Sequence, residues 1–228
     1  MNTKQFWFHQ NQKNTFDEKQ LRILIGFLAL ALPIVVSVGY ILFCNENVLL
    51  DSISDYYHSE MRNYFVGTLC GVGVVFLCYK GPDRIDRVLA DIAAVCAFIV
   101  AFFPTTAEFC QENCLFGDEA FQVIGIIHLS AAAILFLNLA SFCLFLFTLS
   151  DKPKEEFDKP KIMRNKIYRF CGWTILISMA ILALSFFVPL LEDLREHHKL
   201  VYILEFVMLW MFGISWLTKG EIIFRDKK

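Results

Sequence analysis

Six apolar runs, near residues 21–43, 62–79, 88–104, 121–148, 168–190 and 200–218, constrain this chain more than any other feature. Each is long enough to cross a hydrocarbon layer of about 30 Å, which takes roughly 17–25 helical residues. Lipid offers no partners to backbone N–H and C=O groups, so such runs must satisfy their hydrogen bonds internally, as helices. Composition points the same way. Of the 228 residues 57% are hydrophobic and 24 are phenylalanine, against the roughly 45–50% apolar share of a soluble domain. The expected fold is all-α: a polytopic membrane protein and six-transmembrane-helix bundle. It comprises an N-terminal tail (1–20), a transmembrane domain (21–218) and a C-terminal tail (219–228).

Charge sets the expected orientation. Of 21 Lys and Arg, all but Arg62, Arg195 and Lys199 fall on one side of the six-span arrangement. The excess of basic residues in cytoplasmic loops then puts both termini in the cytoplasm and the protein in the inner or plasma membrane. An even number of crossings is consistent with this. The net charge of −2 hides that asymmetry, and no basic patch suggests nucleic acid. The expected partners are membrane lipid and either a second copy of the chain or another membrane protein.

Along the chain, the first run is too long for a signal peptide, and Pro33 is expected to kink it. Phe6, Trp7 and Phe8 read as part of a tail. Gly81 and Pro82 mark a tight turn that makes runs two and three an antiparallel hairpin. Asp91, a turn inside run three, is expected to face protein and pair with Arg87, because an ionised carboxylate facing lipid costs roughly 2.5–3.5 kcal/mol. Cys110 and Cys114 lie at helical spacing in an acidic outer loop, where a disulfide is expected. The stretch KPKEEFDKPKIMRNK reads as a solvated connector. Pro189 closes run five ahead of a short outer loop containing Arg195, His197 and His198.

Chemically capable side chains concentrate in DSISDYYHSEMRNYFVG, from Asp51 to Gly67. If this stretch is helical from its start, Asp51, Asp55, His58 and Arg62 share one stripe, with Ser54 a turn before His58. His198, Tyr202 and Glu205 share another at the start of run six, and His128 lies about two turns inside run four. Ser54, Asp55, His58 and Glu205 are the catalytic candidates. Tyr57, His58, Arg62, His128, Tyr202 and Glu205 are the ligand-binding candidates, with Arg62 expected to pair with Glu205. His58, His128 and His198 could supply imidazoles to a zinc ion, which needs three ligands and an open position for hydrolysis.

The stretch SISDYYHSEMRNYFVG, the YKGPDRID turn, the AFFPT exit of run three, the histidine in run four and the RNKIYRFCGW entry to run five together resemble a set of small six-helix microbial membrane proteins of unknown function. That resemblance implies the fold and no activity. Ser54 and His58 also match the Ser-x-x-x-His pattern of the alkaline ceramidase and adiponectin receptor superfamily. This second resemblance implies a zinc site for lipid amide hydrolysis on a seven-helix scaffold. The present chain departs from it in having six runs and adjacent His197 and His198 where that family places two histidines four apart. Three functions follow in order of preference: an outward-facing pocket for a lipid headgroup or small ligand in a sensing or accessory role, a metal-dependent lipid amide hydrolase, and a small transporter or channel. Only Asp91, Asn138 and Ser185 populate the inner part of the transporter's path.

Overall fold

The computed structural model describes residues 17–44, 48–81, 83–106, 118–150, 153 and 157–223, and these are all-helical. Helix α1 is Glu18–Cys44, followed by a one-turn 3-10 helix, Ser54–His58. Next come α2 Arg62–Cys78, α3 Arg84–Phe102 and α4 Asp118–Ser141, which continues into a π-helical turn, Phe142–Leu146. The chain ends with α5 Lys159–Leu184, a short α6 Pro189–His197, and α7 Leu200–Lys219. Among the described residues, four stretches are long and apolar enough to cross a membrane: Glu18–Phe43, Gln122–Leu146, Lys159–Leu184 and Leu200–Lys219. They mark the chain as a helical membrane protein. Arg62–Cys78 is a shorter apolar helix. Cys110 and Cys114 lie outside the described residues, as do Phe6, Trp7 and Phe8.

Neighbours in sequence are neighbours in space from α1 to α5, and α7 inserts between α5 and α1, so the packing runs in a closed circuit. The first and last helices meet at two glycines. A Cβ on Gly26 would stand 3.0 Å from the Gly213 carbonyl oxygen, and one on Gly213 would stand 2.9 Å from that of Gly26. Small residues let membrane helices approach backbone to backbone in this way. The α2–α3 hairpin is present as expected. Asp83 and Asp86 cap the start of α3 reciprocally, satisfying N–H groups that a helix start leaves open. An alanine ridge, Ala90, Ala93, Ala94, Ala97 and Ala101, is buried on α3. Helix α4 is fastened to α3 at two heights: His128 Nδ1 to the Phe103 carbonyl (2.6 Å) and Asn138 Nδ2 to that of Leu89 (2.9 Å).

At the end of the bundle formed by the start of α1 and the end of α7, Trp216 is fully buried among aromatic rings. Phe76, Tyr79, Phe142, Phe147 and Phe212 surround it at centroid distances of 5.2 to 5.6 Å. These separations suit edge-to-face and tilted ring packing. Arg22 lies over Tyr79 and Lys219 over Phe147.

Several expectations are corrected. Asp91 is exposed, and among the described residues no ion pair joins it to Arg87. The alanine ridge takes the buried face of α3, and the buried acid there is Asp86. Helix α5 starts at Lys159, so part of the supposed connector is helical. The Asp158 carboxylate accepts the Lys161 N–H (3.0 Å), and Pro160 occupies the first turn, where its missing N–H costs nothing. Pro189 does not close α5, which ends at Leu184. It opens α6 by the same logic, and the supposed outer loop is mostly helix.

Candidate functional site

At the end of the bundle opposite the Trp216 cluster, residues 48–61 fold inward and cover the helix ends. The assumption of one continuous helix from Asp51 fails here. The chain makes a single 3-10 turn from Ser54 to His58, extends at Ser59, and enters α2 only at Arg62. The proposed stripe of Asp51, Asp55, His58 and Arg62 is therefore broken. Serine chemistry explains the break. Ser52 Oγ accepts the Asp55 N–H (3.0 Å), and Ser59 Oγ donates to the Tyr56 carbonyl (2.8 Å). Such local side-chain bonds compete with a helical ladder. Ser52 in turn holds the Asp55 carboxylate. Burial nevertheless pushes that carboxyl above its ordinary range, and the charge of Asp51 adds to the shift.

This plug is fastened to α7 along one face. The Tyr202 N–H donates to the Asp51 carbonyl (2.9 Å), and Lys199 Nζ pairs with the Asp51 carboxylate. Deeper in, Glu205 accepts the Ile53 N–H at 2.7 Å and is 3.4 Å from Ser54 Oγ. A carboxylate at a helical N-terminus satisfies open N–H groups and meets the positive end of the backbone dipole. The Tyr202 hydroxyl lies 2.7 Å from Ser37 Oγ of α1, and that serine also bonds the Pro33 carbonyl. The expected stripe on the last helix is thus half right: Tyr202 and Glu205 face the plug, whereas His198 is exposed at the end of α6.

Arg62 and Glu205 do not meet. The Arg62 guanidinium donates to the Tyr57 hydroxyl (2.6 Å) and stacks over the same ring at 4.3 Å. Arg62 itself is exposed. The two histidines converge on the exit of α3: His58 Nε2 lies 2.8 Å from the Thr105 carbonyl, and His128 Nδ1 binds that of Phe103. His58 is within electrostatic reach of both His128 and Asp55. Nε2 of His128 is buried with no hydrogen-bond partner among the described residues. Each histidine spends a nitrogen on a backbone carbonyl and His198 stands apart, so the three imidazoles form no ligand set. No group of three His, Cys, Asp or Glu among the described residues is arranged to hold a metal ion.

Beneath the plug lies a cavity of about 50 Å³. Leu32, Leu69, Val100, Leu135, Leu139 and Leu209 give it apolar walls from α1, α2, α3, α4 and α7, while Ser54 and Glu205 are its polar edge. Sequence reasoning identified Glu205 and Ser54 but missed this cavity, whose leucines come from helices far apart in the chain. No protein-family model, no curated protein and no solved structure matches the chain.

Proposed function

We propose that the chain crosses the membrane six times with both termini cytoplasmic, and binds a membrane amphiphile at its outer end in a sensing or accessory role. Six crossings are supported by the packing circuit. The 17 residues of α2 and the 19 of α3 extend about 25 and 28 Å at 1.5 Å per residue, and both helices lie alongside longer membrane-length neighbours. The charged residues of α3 cluster in its first two turns, at the basic side.

The single observation carrying the binding role is Glu205, a carboxylate whose partners belong to the plug rather than to a neighbouring helix and which borders an otherwise apolar cavity. A ligand suited to it has a head that donates hydrogen bonds, such as an amine or hydroxyl, and an apolar chain. The head replaces the Ile53 and Ser54 donors on Glu205, and the chain follows the leucine walls. Tyr57, His58, Arg62, His128 and Tyr202 frame the plug that must lift, since about 50 Å³ is well below the 300–1,000 Å³ of ordinary ligand sites. The hydrolase alternative draws less support, because His58 and His128 are engaged by backbone carbonyls.

Mass spectrometry of organic extracts from the purified protein tests the binding role. An amphiphile present in near-stoichiometric amount and lost from Leu209→Phe, which fills the cavity without touching the latch, is the expected result. Identical extracts from the two proteins, or no amphiphile in either, would refute it.

A further inference from the structure

A second, larger site lies on the flank of the bundle. Between α4 and α5 runs a groove of about 370 Å³, bordered by Leu137, Leu144, Phe145, Arg169, Trp173 and Leu176. The π-helical turn Phe142–Leu146 forms one side. There the Phe147 N–H reaches back five residues to the Phe142 carbonyl (2.9 Å), displacing the following side chains from α-helical register. Such π-bulges occur frequently at functional sites. Opposite it, Gly172 admits the bulge: a Cβ there would stand 2.5 Å from Leu144 Cγ and 3.1 Å from Cys143 Cβ.

The charge in this groove is unbalanced. Arg169 is exposed, and no ion pair among the described residues neutralises it. Lys166 is exposed on the same side of α5 one turn earlier, and Trp173 one turn later. The sequence Lys159–Leu184 contains no Asp or Glu, and Gln122–Leu146 contains no charged residue at all. A guanidinium on a membrane-length helix, with an apolar channel beneath it and no carboxylate paired with it among the described residues, calls for an anion carrying its own apolar chain. We propose that this groove binds one anionic phospholipid, with the phosphate against Arg169 and Lys166 and an acyl chain along Leu137, Leu144 and Leu176. Arginine suits phosphate because its planar fork makes paired charge-assisted bonds, and basic pockets between membrane helices bind anionic headgroups for this reason. The proposal is independent of the site at Glu205.

Native mass spectrometry of the full-length protein in detergent, titrated with dioleoyl phosphatidylglycerol or dioleoyl phosphatidylcholine, tests it. The wild type should retain phosphatidylglycerol about fivefold better, the scale of one basic side chain against an anionic lipid. Arg169→Gln should remove that preference while the melting temperature stays unchanged. Lys159→Gln, which deletes the same charge outside the groove, should leave the preference intact. Added inorganic phosphate should not compete, because it has no chain for the groove. The proposal fails if the wild type holds both lipids equally, if Lys159→Gln and Arg169→Gln act alike, or if free phosphate displaces the lipid. It also fails if Trp173→Ala dissociates a dimer without changing lipid retention, since a second copy then fills the groove. Unchanged lipid binding in Leu209→Phe, whatever its effect on the outer cavity, separates this site from the other.

Discussion

Glu205 decides how the plug end of the molecule is closed, because its carboxylate answers donors on a segment about 150 residues earlier in the chain. Glu205→Ala strands the Ile53 N–H and the Ser54 hydroxyl, and each buried donor left unpaired costs about 1–3 kcal/mol. Thermal unfolding in detergent should show a clear loss for Glu205→Ala and a smaller one for Glu205→Gln, which keeps an acceptor. Arg62→Ala should add to Glu205→Ala without coupling, since Arg62 is committed to Tyr57 and independent sites add within about 0.5 kcal/mol. A large coupling energy would mean that the two charges meet after all. Asp55 gives a pH test. Its folded pKa is raised by burial, so the group favours the folded state below its ordinary value of 3.8 and loses that contribution as pH rises through the folded value. Acidification from neutral pH should therefore raise the melting temperature of the wild type relative to Asp55→Asn, and a pH-independent difference between them would contradict this. The candidate residues themselves were legible as polar groups beside apolar runs. Their partners were not: Arg62 and Glu205 were the obvious ion pair, yet an adjacent tyrosine took one and a distant backbone amide the other.

At the scale of elements, the α1–α7 crossing carries the sharpest steric demand. Gly26→Val would drive a branched side chain onto the Gly213 carbonyl, where even a Cβ has only 3.0 Å. Overpacking of this kind costs typically 1–3 kcal/mol, so the variant should melt earlier, whereas a substitution at Gly67, whose Cβ direction is open, should not. Equal melting temperatures for Gly26→Val and the wild type would refute the crossing. The existence of the six long helices was readable from apolar length, and the α2–α3 hairpin from its turn residues, whereas the short polar α6 was not. Helix ends were harder. Asp158 and Pro160 are a start signal for α5, but they sit inside a charged stretch that composition assigns to solvent. The 3-10 plug was hidden for a different reason: Asp51–Arg62 has helical spacing, while the Ser52 and Ser59 bonds and the latch on Glu205 favour a tighter turn. Asp91 was misplaced because burial of one face of α3 is settled by five alanines that no charge argument weighs.

For the whole molecule, the basic residues and the packing circuit make a joint demand on topology. Among the described residues, every Lys and Arg except Arg62, Arg195 and Lys199 lies toward the end with Trp216, and the plug lies at the other. If the bundle sits in a membrane with that basic end inside, Val48 at the start of the plug faces out and Lys159 at the start of α5 faces in. Single cysteines at these positions, in a chain whose own cysteines have been replaced, should react differently with an impermeant maleimide on intact cells. The Val48→Cys protein should label at once, and Lys159→Cys only after the membrane is opened. An even number of crossings between them would break the pattern, because 48 and 159 are separated in the six-span arrangement by the three helices α2, α3 and α4. Were α2 and α3 to lie outside the lipid as a pair, those two positions would still fall on opposite sides, so a third position is needed. Lys80, in the turn between α2 and α3, distinguishes the cases. In the six-span arrangement Lys80→Cys is protected from outside reagent together with Lys159→Cys. With α2 and α3 outside it labels together with Val48→Cys, and that result would reduce the protein to four crossings.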